Sequence, residues 1–233
     1  MIRFYRKFKR PKVLSFDLDD TLYDNVPIIL RAEESLLSFI NDEVMDKPLT
    51  AQQWSLHKQT FSKQNPHLSH DVSALRQAFL VDFIAKQLPK SEPELAAKAY
   101  QLFFEQRNNF SVADAQVDLL LSLKKRYLLV ALTNGNASPD MIGLGGIFDL
   151  QVRPNAALKM KPDGSIFKHT EHLLEVASAD ILHIGDSPLT DVSGAIINQW
   201  QAAWYNPNNS ALNGAPLPHF EYSQSDDLRA LLC

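Results

Sequence analysis

Short apolar runs that stop abruptly at polar turns limit this chain more than any other feature. Residues 12–17 (KVLSFD) end in an acidic cluster, 127–133 (YLLVALT) at Asn134-Gly135, 181–186 (ILHIGD) at a second acidic turn, and 201–205 (QAAWY) at Asn206-Pro207. Runs this short and this apolar read as buried strands of a parallel sheet, each delivering side chains to its C-terminal edge. Helical patterns lie between the later runs. Residues 114–125 carry Val117, Leu120, Leu121 and Lys124 at helical spacing, 165–177 follow a serine cap at Ser165, and 189–199 form a third. Strand alternating with helix predicts an α/β fold built on a parallel sheet.

Between residues 25 and 110 the pattern changes, and amphipathic helices replace strands. Leu30, Glu33, Glu34, Leu37 and Ile40 belong to the first helix; Leu75, Phe79, Val81, Phe83 and Ile84 to another; Leu95, Ala99, Leu102 and Phe103 to a third. Pro48, Pro66, Pro89 and Pro93 fall at helix boundaries. The expected organisation is an α/β core from residues 1–24 and 111–233, interrupted after its first strand by an α-helical insertion, 25–110. A chain of 233 residues with 45% apolar side chains can bury a core of that size.

Composition narrows the partners. A net charge of -4 gives no general attraction to nucleic acid, and the basic stretch Arg3, Arg6, Lys7, Lys9 and Arg10 reads as a solvated arm. No run approaches the ~20 apolar residues of a membrane span. The single cysteine, Cys233, cannot form an internal disulfide. A soluble, cytoplasmic protein with neither nucleic-acid nor membrane partners is expected, and nothing here sets an oligomeric state.

The chemistry lies at the strand ends. Asp17, Asp19 and Asp20 crowd the end of the first run; unit charges ~4 Å apart repel by about 4 kcal/mol at an effective dielectric of 20. They therefore either splay into solvent or share a cation. Asp186 and Asp191 form a second acidic pair after the third run. In a parallel sheet all these ends meet on one edge, where the carboxylates make an oxygen-only site suited to Mg²⁺. The Thr133 hydroxyl, the N–H groups of Asn134-Gly135 and the Lys161 ammonium add what an anionic substrate needs. Singly, each has a plainer reading: an acidic turn, a turn threonine, a solvated lysine. Their joint order carries the weight.

FDLDDT, LTNG, the KP of KMKPDGSIF, and GDSPLTD occur in that order, and the chain resembles the haloacid dehalogenase superfamily. The resemblance implies a Rossmann-like core with an α-helical cap after the first strand. It makes Asp17 a nucleophile that forms an aspartyl-phosphate and Asp19 the general acid/base. Mg²⁺ would be held by Asp17, Asp186 and the Asp19 backbone carbonyl. Thr133, the Asn134 N–H and Lys161 would hold the phosphoryl group, and Asp191 would orient Lys161 or a metal-bound water. Asp19 favours phosphoryl transfer over dehalogenation.

Tyr23 is a candidate for the entrance, and His67, His70 and Arg76 are candidate substrate contacts from the cap, against a plainer reading of the HxxH pair as exposed loop residues. His183 reads as a hydrogen-bonded core residue, and His169 and His172 as surface. RFYR, FDLDDTLYDN, HDV, LTNGNA, GLGGIFDL and DVSGAI resemble the gamma-proteobacterial branch acting on flavin mononucleotide (FMN) and 5-amino-6-(5-phospho-D-ribitylamino)uracil in riboflavin biosynthesis. A small-molecule phosphate ester is the implied partner. Two rivals stand: a broad-specificity sugar-phosphate or nucleotide phosphatase, and a non-catalytic phospho-ligand binding or switch protein.

Overall fold

A computed structural model describes residues 2–88 and 93–233. Pro89, read above as a helix boundary, lies outside the described residues. The chain divides into two compact units, with borders after Asp24 and after Phe110.

The first unit is built on a seven-stranded sheet. Its strands are β1 (Arg3–Phe4), β2 (Val13–Phe16), β3 (Leu128–Leu132), β4 (Leu150–Val152), β5 (Ile181–Gly185), β6 (Gln201–Tyr205) and β7 (Phe220–Tyr222), in the order β1-β7-β6-β5-β2-β3-β4. All neighbours are parallel except β1 and β7. Every side chain of β2 and β5 is buried, as the apolar runs require of a sheet covered on both faces. β2 is flanked by β3 on one side and β5 on the other, so the chain leaves it in both directions. Such a switch in strand order opens a crevice at the C-terminal edge of an open α/β sheet.

The second unit is helical: α1 (Val26–Glu43), α2 (Ala51–Gln64), α3 (Val72–Gln87) and α4 (Pro93–Arg107). Thr50 and Gln53 close a capping box on α2, and the Asp71 carboxylate accepts two N–H groups at the start of α3. The buried stripe of α1 is Ile28, Ala32, Leu36 and Ile40. It is rotated from the expected one, because Leu30 is 62% exposed. In α3, Phe79, Leu80, Phe83 and Ile84 are buried whereas Val81 faces out. Ala32, Leu36 and Ile40 of α1 and the four buried residues of α3, with Trp54, Ala99 and Phe103, belong to the unit's own core.

The remaining helices belong to the α/β unit: α5 (Asp114–Lys124), α6 (Gly164–Leu174) and α7 (Gly194–Ile197). Two differ from expectation. The cap of α6 is Asp163, whose carboxylate accepts the Ser165 N–H, while the Ser165 hydroxyl accepts from Lys159 N–H; Glu175, at φ 54°, ends the helix. The expected helix 189–199 is instead a π-helical turn, Pro188–Ser193, running into the single turn of α7. The wider turn leaves Leu189 66% exposed and Asp191 buried. The basic N-terminal stretch is also more than a free arm. β1 pairs with β7, and the Tyr5 and Arg6 N–H groups donate to His219 O, although the basic side chains themselves stay exposed.

Candidate active site

Asp17, Thr133 and Asp186 each follow the last residue of β2, β3 and β5, the three strands that meet at the switch. Because these strands are parallel, all three residues share one edge. They line a cavity of about 210 Å³ with Asp19, Asp20, Asn134, Gly135, Lys161, Ser187, Thr190 and Asp191. The structure therefore brings together the acidic residues, Thr133, the Asn134-Gly135 turn and Lys161 that the sequence singled out.

Lys161 is the electrostatic centre, only 1% exposed. Its ammonium donates to Asp17 Oδ1 at 2.8 Å, Asp191 Oδ1 at 2.7 Å and Leu132 O at 2.6 Å, engaging all three protons. A side-chain clamp holds its backbone: Asn134 Oδ1 accepts the Lys161 N–H at 2.8 Å, and Asn134 Nδ2 donates to Lys161 O at 2.9 Å. Asp191 is equally engaged, since its Oδ2 accepts the Ser187 N–H at 2.9 Å.

The carboxylates divide into two kinds. Burial opposes ionisation of Asp191, yet the Lys161 ammonium and the His183 hydrogen bond hold it below the usual carboxylate range. Burial, together with repulsion from Asp191, pushes Asp17 up to about 8 despite Lys161 beside it. Asp186 is pushed up to about 6 by burial and by Asp191 and Asp20, against the Thr21 hydroxyl that donates to it at 3.2 Å. The same surroundings raise Lys161: burial works against its charge, but Asp17 and Asp191 outweigh that. Positive charge is thus short at Asp17 and Asp186.

That shortage is what a cation site shows. Oxygens of Asp17, Asp186 and Asp191 lie within 4.8 Å of one another, and an all-oxygen set suits a hard dication. Asp191 already has partners on both oxygens, so Asp17 and Asp186 are the better-disposed donors.

Asp19 is held separately. The Tyr23 hydroxyl donates to Asp19 Oδ1 at 2.6 Å, and Asp19 and Tyr23 form an isolated β-bridge across the turn. Asp20 completes that turn at φ 59°, a left-handed conformation costing about 1–3 kcal/mol in a non-glycine residue and concentrated at functional sites. Gly135 packs against the acid's other oxygen: a Cβ there would lie 2.4 Å from Asp19 Oδ2. Gly135→Ala is therefore expected to displace Asp19 and lower kcat about 10²-fold, with thermal stability little changed. Steady-state kinetics beside a melting curve check this, and a wild-type kcat would remove Gly135 from the site.

Tyr23 belongs to the α/β unit. The other substrate-side candidates lie in the helical unit. His67 is exposed in a 3₁₀ turn, and His70 follows it, half-buried. Arg76 is engaged within that unit, donating to Glu33 at 2.7 Å and stacking 3.6 Å over Phe103. Sequence reasoning missed the Asn134 clamp and the Gly135 contact. An Asn-Gly pair signals a turn, and nothing local announces what the turn touches.

A family model for haloacid dehalogenase-like hydrolases matches residues 11–196. The chain belongs to that family. It is 35% identical, over 99% of its own length and 100% of the other's, to 5-amino-6-(5-phospho-D-ribitylamino)uracil phosphatase YigB of Escherichia coli K12. N-acylneuraminate-9-phosphatase of Homo sapiens is 26% identical, over 96% of this chain and 94% of the human one. Among solved structures, a 2-haloacid dehalogenase from Pseudomonas syringae pv. Tomato DC3000 superposes with a TM-score of 0.87 at 27% identity, covering 95% of this chain and 98% of the other. The fold is shared across dehalogenases and phosphatases of the family. This hydrolase is a phosphatase, in keeping with the carboxylate at Asp19 beside the cavity. Among its described residues, no helix is long and apolar enough to cross a membrane.

Proposed function

We propose that this hydrolase cleaves small phosphate monoesters with Mg²⁺ through an aspartyl-phosphate on Asp17, and that 5-amino-6-(5-phospho-D-ribitylamino)uracil and FMN are its substrates. The observation that carries the chemistry is the pairing of a buried Asp17, held by Lys161 through Oδ1, with Asp19 two positions on and held by a different partner. One carboxylate is fixed for attack and the other is kept apart for proton transfer.

In the first step an Asp17 oxygen attacks phosphorus, and the bond to the leaving oxygen breaks. Asp19 supplies the proton that the departing alkoxide takes. In the second step Asp19 removes a proton from water as that water attacks the same phosphorus; the Asp17–phosphorus bond breaks, releasing phosphate and restoring the carboxylate. Asp17 Oδ2 makes no hydrogen bond among the described residues, which suits it to the attack. Thr133, the Asn134 N–H and Lys161 lie around the cavity where the phosphoryl oxygens would sit. Asp191 keeps Lys161 in place. Asp17, Asp186 and the Asp19 carbonyl would hold Mg²⁺, which would supply the positive charge that lets an anionic nucleophile approach an anionic ester.

Binding should release protons, because Asp17 with a pKa of about 8 is mostly protonated at neutral pH. The sign follows: raising the pH ionises Asp17 and strengthens binding. Apparent Mg²⁺ affinity should rise about tenfold per pH unit from 6 to 8, where one proton is displaced, then level off. Below 6, Asp186 adds a second proton. Calorimetric titration in buffers of different ionisation enthalpy measures this, and a pH-independent affinity between 6 and 8 would contradict it.

The substrate assignment is supported by the full-length similarity to YigB. The similarity to N-acylneuraminate-9-phosphatase favours a sugar phosphate as the second reading. A panel of phosphate esters assayed with Mg²⁺ and with chelator separates them. The two flavin-related esters should give the highest kcat/KM, and equal rates on simple sugar phosphates would remove the assignment.

A further inference from the structure

His183 is buried beneath the site, and both its ring nitrogens are engaged. It stands directly opposite Ser15 in the parallel β2–β5 register. Nδ1 lies 3.0 Å from Ser15 Oγ, and Nε2 lies 3.0 Å from Asp191 Oδ1. Phe167 and Trp200 wall the ring edge-on. Two pairs earlier in the register, on the same face, Val13 faces Ile181, both apolar and fully buried. A polar pair in that setting is tolerated only if its hydrogen bonds are made.

The contacts select one tautomer. Asp191 is an acceptor here, so Nε2 must carry the proton it donates. Lys161 Nζ is 3.4 Å from Nε2, but its three protons already go to Asp17, Asp191 and Leu132 O. Burial and that nearby ammonium both disfavour a second ring proton. Nδ1 is left as an acceptor for the Ser15 hydroxyl. The contacts thus run Ser15 to His183, His183 to Asp191 Oδ1, and Lys161 to that same oxygen and to Asp17.

We propose that Ser15 and His183 are positioning residues: the Ser15 hydroxyl fixes the Nε2–H tautomer of His183, whose N–H holds Asp191 Oδ1 where it aims Lys161 at Asp17. The kinetic consequence rests on the phosphatase reading above, whereas the tautomer does not. Partners one step removed from a reacting group commonly change activity by about 10–100-fold when lost.

Nitrogen-15 spectra of histidine-labelled protein near neutral pH test the tautomer. A protonated Nε2 with an unprotonated Nδ1 is expected for His183, with a mixture of tautomers in Ser15→Ala. A ring protonated at Nδ1, or at both nitrogens, would overturn the proposal. Kinetics test the consequence. His183→Leu should lower kcat about 10–100-fold with KM nearly unchanged. His183→Gln, whose amide can donate to Asp191 and accept from Ser15, should recover most of that loss. Ser15→Ala should lower kcat a few-fold alone and have no further effect in the His183→Leu background. Independent, multiplying losses, or a folded His183→Leu with full kcat, would overturn it. Should His183→Leu fail to fold, Ser15→Ala and His183→Gln still decide. Absence of phosphatase activity in the wild type would defeat the functional reading and leave the spectral result standing.

Discussion

Asp17→Asn is expected to abolish turnover, lowering kcat/KM by at least about 10⁴-fold, while the protein stays folded. An amide cannot act as the nucleophile, so both displacements are lost together. The substitution is nearly isosteric, and the amide oxygen can still accept from Lys161, whose bond to Asp17 Oδ1 is 2.8 Å. It also removes a charge that burial and Asp191 already disfavour. Metal-free Asp17→Asn should therefore melt no lower than wild type. Kinetics with a thermal melt on the same sample check both halves, and hydrolysis within tenfold of wild type would exclude Asp17 as nucleophile.

Lys161→Met should have the largest effect on stability. Removing the cation leaves Asp17 and Asp191 facing each other in a buried site without their shared partner. Breaking a buried ion pair from one side commonly costs about 3–5 kcal/mol. Methionine fills much of the lysine stem's volume, so the loss reports charge more than packing. Urea unfolding of the metal-free protein measures it. A cost below about 1 kcal/mol would mean that Asp191, like Asp17, is neutral in the folded protein. Activity should fall as well, because Asp17 would lose the partner that orients it.

The α/β class was legible because the strands that build the switch are long enough to show a pattern. β2, β3, β5 and β6 are each an apolar run stopped by a polar turn. β1, β4 and β7 span two or three residues and leave no periodicity to read. β7 also carries Glu221, buried because Asn206 and Tyr5 donate to it. Helix existence was easier to read than helix phase. Leu30 is as apolar as Leu36, and only tertiary packing decides which of them faces the core of the helical unit.

The site was legible for a similar reason. Asp17, Thr133 and Asp186 end their strands, and a parallel sheet gathers such ends without any knowledge of side-chain contacts. What could not be read were contacts between residues far apart in sequence. Asn134 clamps Lys161 from 27 residues away, and Ser15 meets His183 across 168. His183 read correctly as a hydrogen-bonded core residue, but its partner Asp191 lies on a π-helical turn where a regular helix was expected. The position of Asp191 follows from that turn, and with it the link between the core histidine and Lys161.

The covalent role proposed for Asp17 can be tested on the protein itself during turnover. Enzyme quenched in acid while saturated with ester and Mg²⁺, then reduced with borohydride, converts an acyl-phosphate to homoserine that peptide mass spectrometry locates. Homoserine at position 17, absent when substrate is omitted, is the expected result. Product formed at the full rate with position 17 still aspartate, or homoserine at another position, would contradict it.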